Sequence, residues 1–169
     1  MKTKIITFII PGVILLIFFL GLNSNNSYDT SNLIGKKINS FTLNLIDKEY
    51  LINENTLIKN KFTLINFWAS WCYPCRLEHK YLVLLKNKNL KILGINFKDK
   101  KENALKFLSE MGNPYYYLAE DKNGKNSVKF GAYGIPESIL VDHNLTIIKK
   151  YIGPIDKTDY ENILMIIQD

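Results

Sequence analysis

The chain has 169 residues, 47% of them hydrophobic and 22% charged, which is enough apolar material for one domain with its own core and too much for global disorder. Its formal net charge of +6 comes from lysines scattered among acids, with no block of like charges and no basic–aromatic stripe, so no nucleic-acid partner is expected. With only two cysteines a Cys-rich zinc site is excluded, and their spacing of three is informative because random placement gives it only about once in a hundred chains.

Lys2 and Lys4 precede an uncharged apolar run over residues 5–22. Its length lies near the lower end of the ~17–25 residues that span a bilayer and exceeds the ~7–15 of a signal-peptide core. The following Asn-Ser-Asn-Asn-Ser, residues 23–27, carries no small-x-small cleavage pattern. The run therefore reads as an uncleaved signal anchor over 1–22, with a cleaved signal peptide as the alternative. Pro11 and Gly12 in mid-run, and the lack of a polar face, argue against a buried soluble helix. The next basic residue is Lys36, so the positive-inside rule places the N-terminus in the cytoplasm and the rest of the chain outside. Residues 23–33 read as a polar tether and 34–169 as the folded domain.

Within the domain, residues 41–45 alternate apolar and polar like a half-buried strand, with 50–52 as a hairpin partner. Residues 62–68, Phe-Thr-Leu-Ile-Asn-Phe-Trp, form a nearly continuous apolar run that suits a strand covered on both faces. A helix follows, in which Leu77, Tyr81, Leu84 and Leu85 recur at helical spacing, with Pro74 tolerated in its first turn and Cys72 at its N-terminus. Residues 91–97 read as a second buried strand, 102–111 as a helix ended by Gly112, and 115–119 as a short strand. The polar segment 121–129 turns at Asn123-Gly124. Two strands at 138–141 and 146–151 and a helix at 160–167 close the chain, an α/β layout around a mixed sheet.

Cys72-Tyr73-Pro74-Cys75, placed between a strand and a helix, is the pattern of a redox dithiol. The thiolate is the nucleophile, and helix N-terminal amides favour a negative sulfur. On this reading Cys72, at the exposed lip, attacks a substrate disulfide and Cys75, one turn in, resolves the mixed disulfide. Lowering a thiol pKa from ~8.5 to ~6.5 raises its thiolate fraction at neutral pH roughly 25-fold but costs about eightfold in nucleophilicity, a net gain of only about threefold. A low pKa at Cys72 thus acts mainly on leaving-group ability and redox poise. A structural disulfide and a copper site with His79 remain as alternatives; a zinc site would need more ligands than Cys72, Cys75 and His79 supply, and His79 by itself reads as a surface helix residue.

The segment Phe67-Trp68-Ala69-Ser70-Trp71-Cys72-Tyr73-Pro74-Cys75 resembles the active-site stretch of the thioredoxin superfamily. Cys75-Arg76-Leu77-Glu78-His79, Gly131-Ala132-Tyr133-Gly134-Ile135-Pro136-Glu137-Ser138 and Leu93-Gly94-Ile95-Asn96-Phe97-Lys98-Asp99 narrow the resemblance to the cytochrome c maturation thioredoxins, CcmG or DsbE. Ser138 stands where the family's usual residue is Thr, and Ala132 where Val is common. The resemblance covers residue 33 to the C-terminus and implies a thioredoxin-like fold with a mixed central sheet flanked by helices. It implies catalytic Cys72 and Cys75 forming the redox disulfide, supported by Trp71 and Pro74, and a cis-proline at Pro136 facing the dithiol. The backbone at Ile135 would pair with an extended substrate, and Glu137 would be an acid near the thiols. The position six residues before the first cysteine, a buried Asp in thioredoxin, is Asn66, so Glu137 is the expected substitute for proton transfer. No metal or cofactor is implied. The implied role is a periplasmic reductant anchored in the inner membrane as a single-pass protein. It would act on apocytochrome c or a maturation chaperone before haem attachment and be recharged by a membrane electron transporter of the CcdA/DsbD type. A general periplasmic thiol reductase of the same fold and a copper-delivery module are the rival readings, and a peroxidase lacks its Thr-x-x-Cys site.

Overall fold

The computed structural model describes residues 2–22 and 31–168, with side chains from residue 10 in the first stretch and from residue 32 in the second. The chain divides into two units, Met1–Thr30 and Ser31–Asp169. Most of the expected tether, residues 23–30, lies outside the described residues.

In the first unit α1 (Lys2–Leu22) is one helix, and its large apolar side chains are exposed along its described length. Counting only the described side chains, no helix is long and apolar enough to cross a membrane.

The second unit opens with the hairpin β1 (Thr42–Asn44) and β2 (Leu51–Asn53), paired antiparallel with Leu43 opposite Ile52. Those two side chains are buried while their strand neighbours face outward, as the alternation predicts. A single turn, α2 (Glu54–Leu57), follows, capped by the Asn53 side chain. Then come β3 (Phe62–Trp68), α3 (Tyr73–Asn87), β4 (Lys91–Phe97), α4 (Lys101–Met111), β5 (Tyr117–Asp121), α5 (Lys125–Lys129), β6 (Glu137–Asp142), β7 (Ile147–Ile152) and α6 (Lys157–Gln168). The sheet order is β5-β4-β3-β6-β7, with β3, β4 and β5 parallel and β6 and β7 antiparallel, so the sheet is mixed as expected.

Two cores lie on the two faces of this sheet, and adjacent residues of β3 feed opposite ones. Leu64 and Trp68 pack with Leu82, Leu85, Phe107 and Ile163 from α3, α4 and α6. Ile65 and Phe67 pack with Leu43, Ile52 and Leu57 of the hairpin and α2, and with Phe130 beyond α5. Burial on both sides explains why β3 reads as a continuous apolar run.

Three expectations are corrected. The buried face of α3 is Cys75, Glu78, His79, Leu82 and Leu85, whereas Leu77 and Leu84 are exposed. The face is rotated from the apolar count because Cys75, Glu78 and His79 are drawn inward by tertiary contacts. His79 is therefore no surface residue: its ring packs edge-on against Phe107, and its Nε2–H donates to the Gly112 carbonyl at 2.8 Å. The strand expected from residue 115 begins at Tyr117, because Tyr115 leaves the strand line to stack on Trp68 with ring centroids 5.2 Å apart. Gly94 makes room for it, since a Cβ there would lie 2.5 Å from the Tyr115 ring. The turn at Asn123-Gly124 stands as expected, the Gly124 N–H donating to the Asp121 carbonyl at 3.2 Å, and the short helix α5 follows it, held by Asp121 Oδ2, which accepts from both the N–H and O–H of Ser127 at 2.7 Å.

Candidate active site

The C-terminal end of β3 delivers Trp68 to the turn Ala69-Ser70-Trp71, and α3 begins at once. Cys72 is the N-cap of α3, in extended conformation, and Pro74 occupies the first turn where no amide hydrogen is needed. The Cys75 N–H donates to Cys72 Sγ at 3.2 Å, which is how a helix N-terminus stabilises negative charge on that sulfur. The two cysteines form a disulfide with Cα atoms 5.3 Å apart. Cys72 begins the helix as expected but is only 4% exposed, so the lip is formed by its exposed neighbours Trp71 and Tyr73.

The turn before the dithiol is clamped by the loop after β4. Asp99 accepts from the Ser70 N–H at 2.6 Å and the Ser70 O–H at 2.9 Å, and also from the Asn96 amide and the Lys100 N–H. The Trp71 indole N–H donates to the Lys98 carbonyl at 3.2 Å. Lys98 holds a left-handed φ of 44°, which turns its carbonyl and the Asp99 carboxylate toward the dithiol turn.

Opposite, the peptide bond Ile135–Pro136 is cis. Pro136 directly precedes β6, whose first residue Glu137 pairs with Phe67 of β3, so this loop sits at the end of the sheet from which the dithiol turn leaves. Ile135 packs on the core cluster that contains both cysteines. Glu137 is buried: Oε1 accepts from the backbone N–H groups of Tyr133 and Gly134, and Oε2 lies 2.7 Å from Lys150 Nζ. Lys150, buried on β7, also donates to the Gly131 carbonyl at 2.5 Å. The pair thus holds the loop 131–135 from both ends, and no feature of the strand pattern around Lys150 pointed to it.

A second buried acid lies on the helix that carries the dithiol. Glu78 sits one turn past Cys75 on the same face of α3 and is fully buried. Its Oε1 accepts from the Asn66 side-chain amide at 2.8 Å and its Oε2 from the Ile155 N–H at 3.0 Å. The same Asn66 amide donates to Ser138 Oγ at 3.0 Å, and its Oδ1 accepts from the Tyr115 hydroxyl at 2.9 Å. Burial raises the Glu78 pKa to about 7, with the bonds from Ile155 and Asn66 pulling the other way. The strand position that carries Asn66 thus holds an acid by proxy, supplied by the helix. The spacing 75, 78, 82 and 85 could have shown it, had Cys75 been counted as apolar.

A disulfide at the first turn of a helix, on a mixed sheet of this order and beside a cis-proline loop, defines a thioredoxin-like thiol–disulfide oxidoreductase. The chain belongs to the Redoxin family, whose pattern matches residues 27–164. It is 53% identical over 98 residues to the thiol:disulfide interchange protein CycY of Rhizobium leguminosarum, a match that spans 57% of this chain and about half, 53%, of that relative. It is 38% identical over 138 residues to the thiol:disulfide interchange protein HelX of Rhodobacter capsulatus, covering 82% of this chain and 78% of HelX. A structure from Chlorobium tepidum, assigned as a thiol:disulfide interchange protein DsbE, superposes with a TM-score of 0.68 at 25% identity, over 84% of this chain and 97% of that one.

Proposed function

We propose that this chain is a periplasmic reductant of cytochrome c maturation, held to the inner membrane by residues 1–22. The observation that carries the reading is the Cys72–Cys75 pair at the start of α3 beside the cis Ile135–Pro136 loop. Reduced Cys72 attacks the disulfide of an apocytochrome c Cys-x-x-Cys-His segment, or of a maturation chaperone, and displaces one substrate thiolate. Cys75 then attacks Cys72 Sγ and releases the second substrate thiolate. Two electrons pass to the substrate, and Cys72–Cys75 ends as the disulfide. A membrane electron transporter of the CcdA/DsbD type restores the dithiol. The backbone at Ile135 binds the extended substrate, with Trp71 lining the approach. The unbroken apolar sequence of 5–22 after Lys2 and Lys4 supports the anchor and its orientation.

The proton leaving Cys75 is taken by Glu78, whose pKa of about 7 leaves it half ionised at neutral pH, whereas Glu137 is committed to Lys150 and the 131–135 loop. Rates of mixed-disulfide resolution measured against pH decide this: Glu78→Gln should lose an inflection near neutrality that Glu137→Gln keeps. The opposite pattern returns the role to Glu137.

Substrate identity is tested by trapping. A Cys75→Ser variant cannot resolve and should accumulate mixed disulfides through Cys72. Apocytochrome c or a maturation chaperone among the captured proteins supports the reading. A broad set of periplasmic thiol proteins without either makes the chain a general thiol reductase.

A further inference from the structure

The charge of the domain is not spread as its sequence suggests. The end of the sheet opposite the dithiol is closed by segments 34–37, 58–61, 86–91, the uncharged 112–116 and 165–168, and the β6–β7 turn 142–146. These carry seven lysines, Lys36, Lys37, Lys59, Lys61, Lys86, Lys88 and Lys91, and a single acid, Asp142, whose carboxylate is engaged with the N–H groups of Asn144 and Thr146. The remaining described residues of the domain carry thirteen basic and thirteen acidic side chains, so its whole net positive charge sits at this end. Among the described residues, none of the seven forms an ion pair. Two exposed isoleucines stand among them, Ile34 (48% exposed) and Ile58 (46%). Lys59, Lys61, Lys88 and Lys91 also ring a depression of about 310 Å³ floored by Phe62, Leu90 and Ile167.

The chain enters the domain at this same end: Gly35 N–H donates to the Ile147 carbonyl at 2.8 Å, and Lys37 bridges to Thr146. The eight residues 23–30 that precede it span at most about 28 Å when fully extended.

We propose that this lysine-rich end is a docking face for an anionic lipid surface, seating the domain on the membrane with the dithiol turned away from it. Lysines supply attraction to the headgroups, and Ile34 and Ile58 the apolar contact of an interfacial site. This rests on the membrane-anchor reading for its geometry, because only an anchored chain keeps the face within reach of lipid.

The test uses the full chain reconstituted in neutral phosphatidylcholine vesicles and in vesicles rich in phosphatidylglycerol, with lysine acetylation mapped by mass spectrometry. The anionic vesicles should protect Lys59, Lys61, Lys88 and Lys91 by about fivefold or more, as expected for lysines at an anionic surface, and high salt should reverse it. Lys98 and Lys125, at the dithiol end, should react equally in both. The triple variant Lys59→Glu/Lys61→Glu/Lys88→Glu should lose protection at Lys36 and Lys91 yet reduce a small soluble disulfide at the unaltered rate. Absence of lipid-dependent protection, or protection spread over both ends, overturns the proposal. So does equal protection by a single-stranded oligonucleotide without lipid, which would make the face a polyanion site. Failure to float with neutral vesicles strikes only the anchor reading, since the footprint on anionic vesicles decides the face by the same criterion.

Discussion

Glu78 shows how burial alone sets the chemistry of a side chain. Its carboxyl accepts two hydrogen bonds, from Asn66 and Ile155, yet desolvation outweighs both and lifts its pKa from 4.5 to about 7. The folded state then binds this proton more tightly than the unfolded chain. The associated stability is fully present below about pH 4.5 and is lost as pH rises through about 7. The stability difference between the wild type and Glu78→Gln, from urea titrations, should therefore shift by about 3 kcal/mol in favour of Gln from pH 5 to pH 8. A pH-independent difference would show that Glu78 is ionised throughout. Glu137 is the contrasting case, a buried carboxylate neutralised by Lys150 at 2.7 Å. Lys150→Met should cost about 3–5 kcal/mol by leaving that charge buried, and adding Glu137→Gln should recover part of it. A loss below 1 kcal/mol would mean that the pair contributes little to holding the 131–135 loop.

At the scale of elements, α3 carries both the chemistry and the main contact with the sheet. Its inward face, Cys75, Glu78, Leu82 and Leu85, has spacings of three and four, so one stripe supplies a redox sulfur, a proton site and two core side chains. Leu82→Ala should cost about 2–5 kcal/mol in chemical denaturation, whereas Leu84→Ala, on the exposed side, should stay within about 1 kcal/mol. Similar losses at both would place the helix in the phase that the apolar count suggests. The helix is pinned at two levels: His79 ties it to Gly112 after α4, and Asp99 ties the turn before it to the loop after β4.

Across the whole domain, the sheet couples two cores that share β3. Leu64 belongs to one and Ile65 to the other, so neither core can dissolve without stripping one face of the central strand. Unfolding of the domain should therefore be a single transition. Leu64→Ala and Ile65→Ala should each lower the midpoint seen by far-UV circular dichroism and by Trp68 fluorescence together. Separate transitions for the two probes would show that the faces unfold independently. Polarity is equally a property of the domain: the dithiol, Trp71 and the cis-proline loop occupy one end of the sheet, and the seven clustered lysines, which form no ion pair among the described residues, the other.

By itself the sequence determined the dithiol, its place between a buried strand and a helix, the hairpin, and the α/β order of the elements. Each of these is written in a local pattern: a spacing of three, a period of two, or an apolar run bounded by turns. The cis-proline and Glu137 were reached through the resemblance carried by residues 131–138. Only the tertiary structure shows the buried network around Glu78, one turn past Cys75. Asn66, Glu78, Tyr115 and Ile155 come from four separate stretches of chain and meet only once α3 is laid on the sheet. The same holds for the phase of α3, where polar-counting residues are buried because distant partners satisfy them, and for the lysines that look scattered in sequence and gather at one end. Local periodicity reports what a segment presents, whereas burial, pKa and charge polarity depend on what the rest of the chain brings against it.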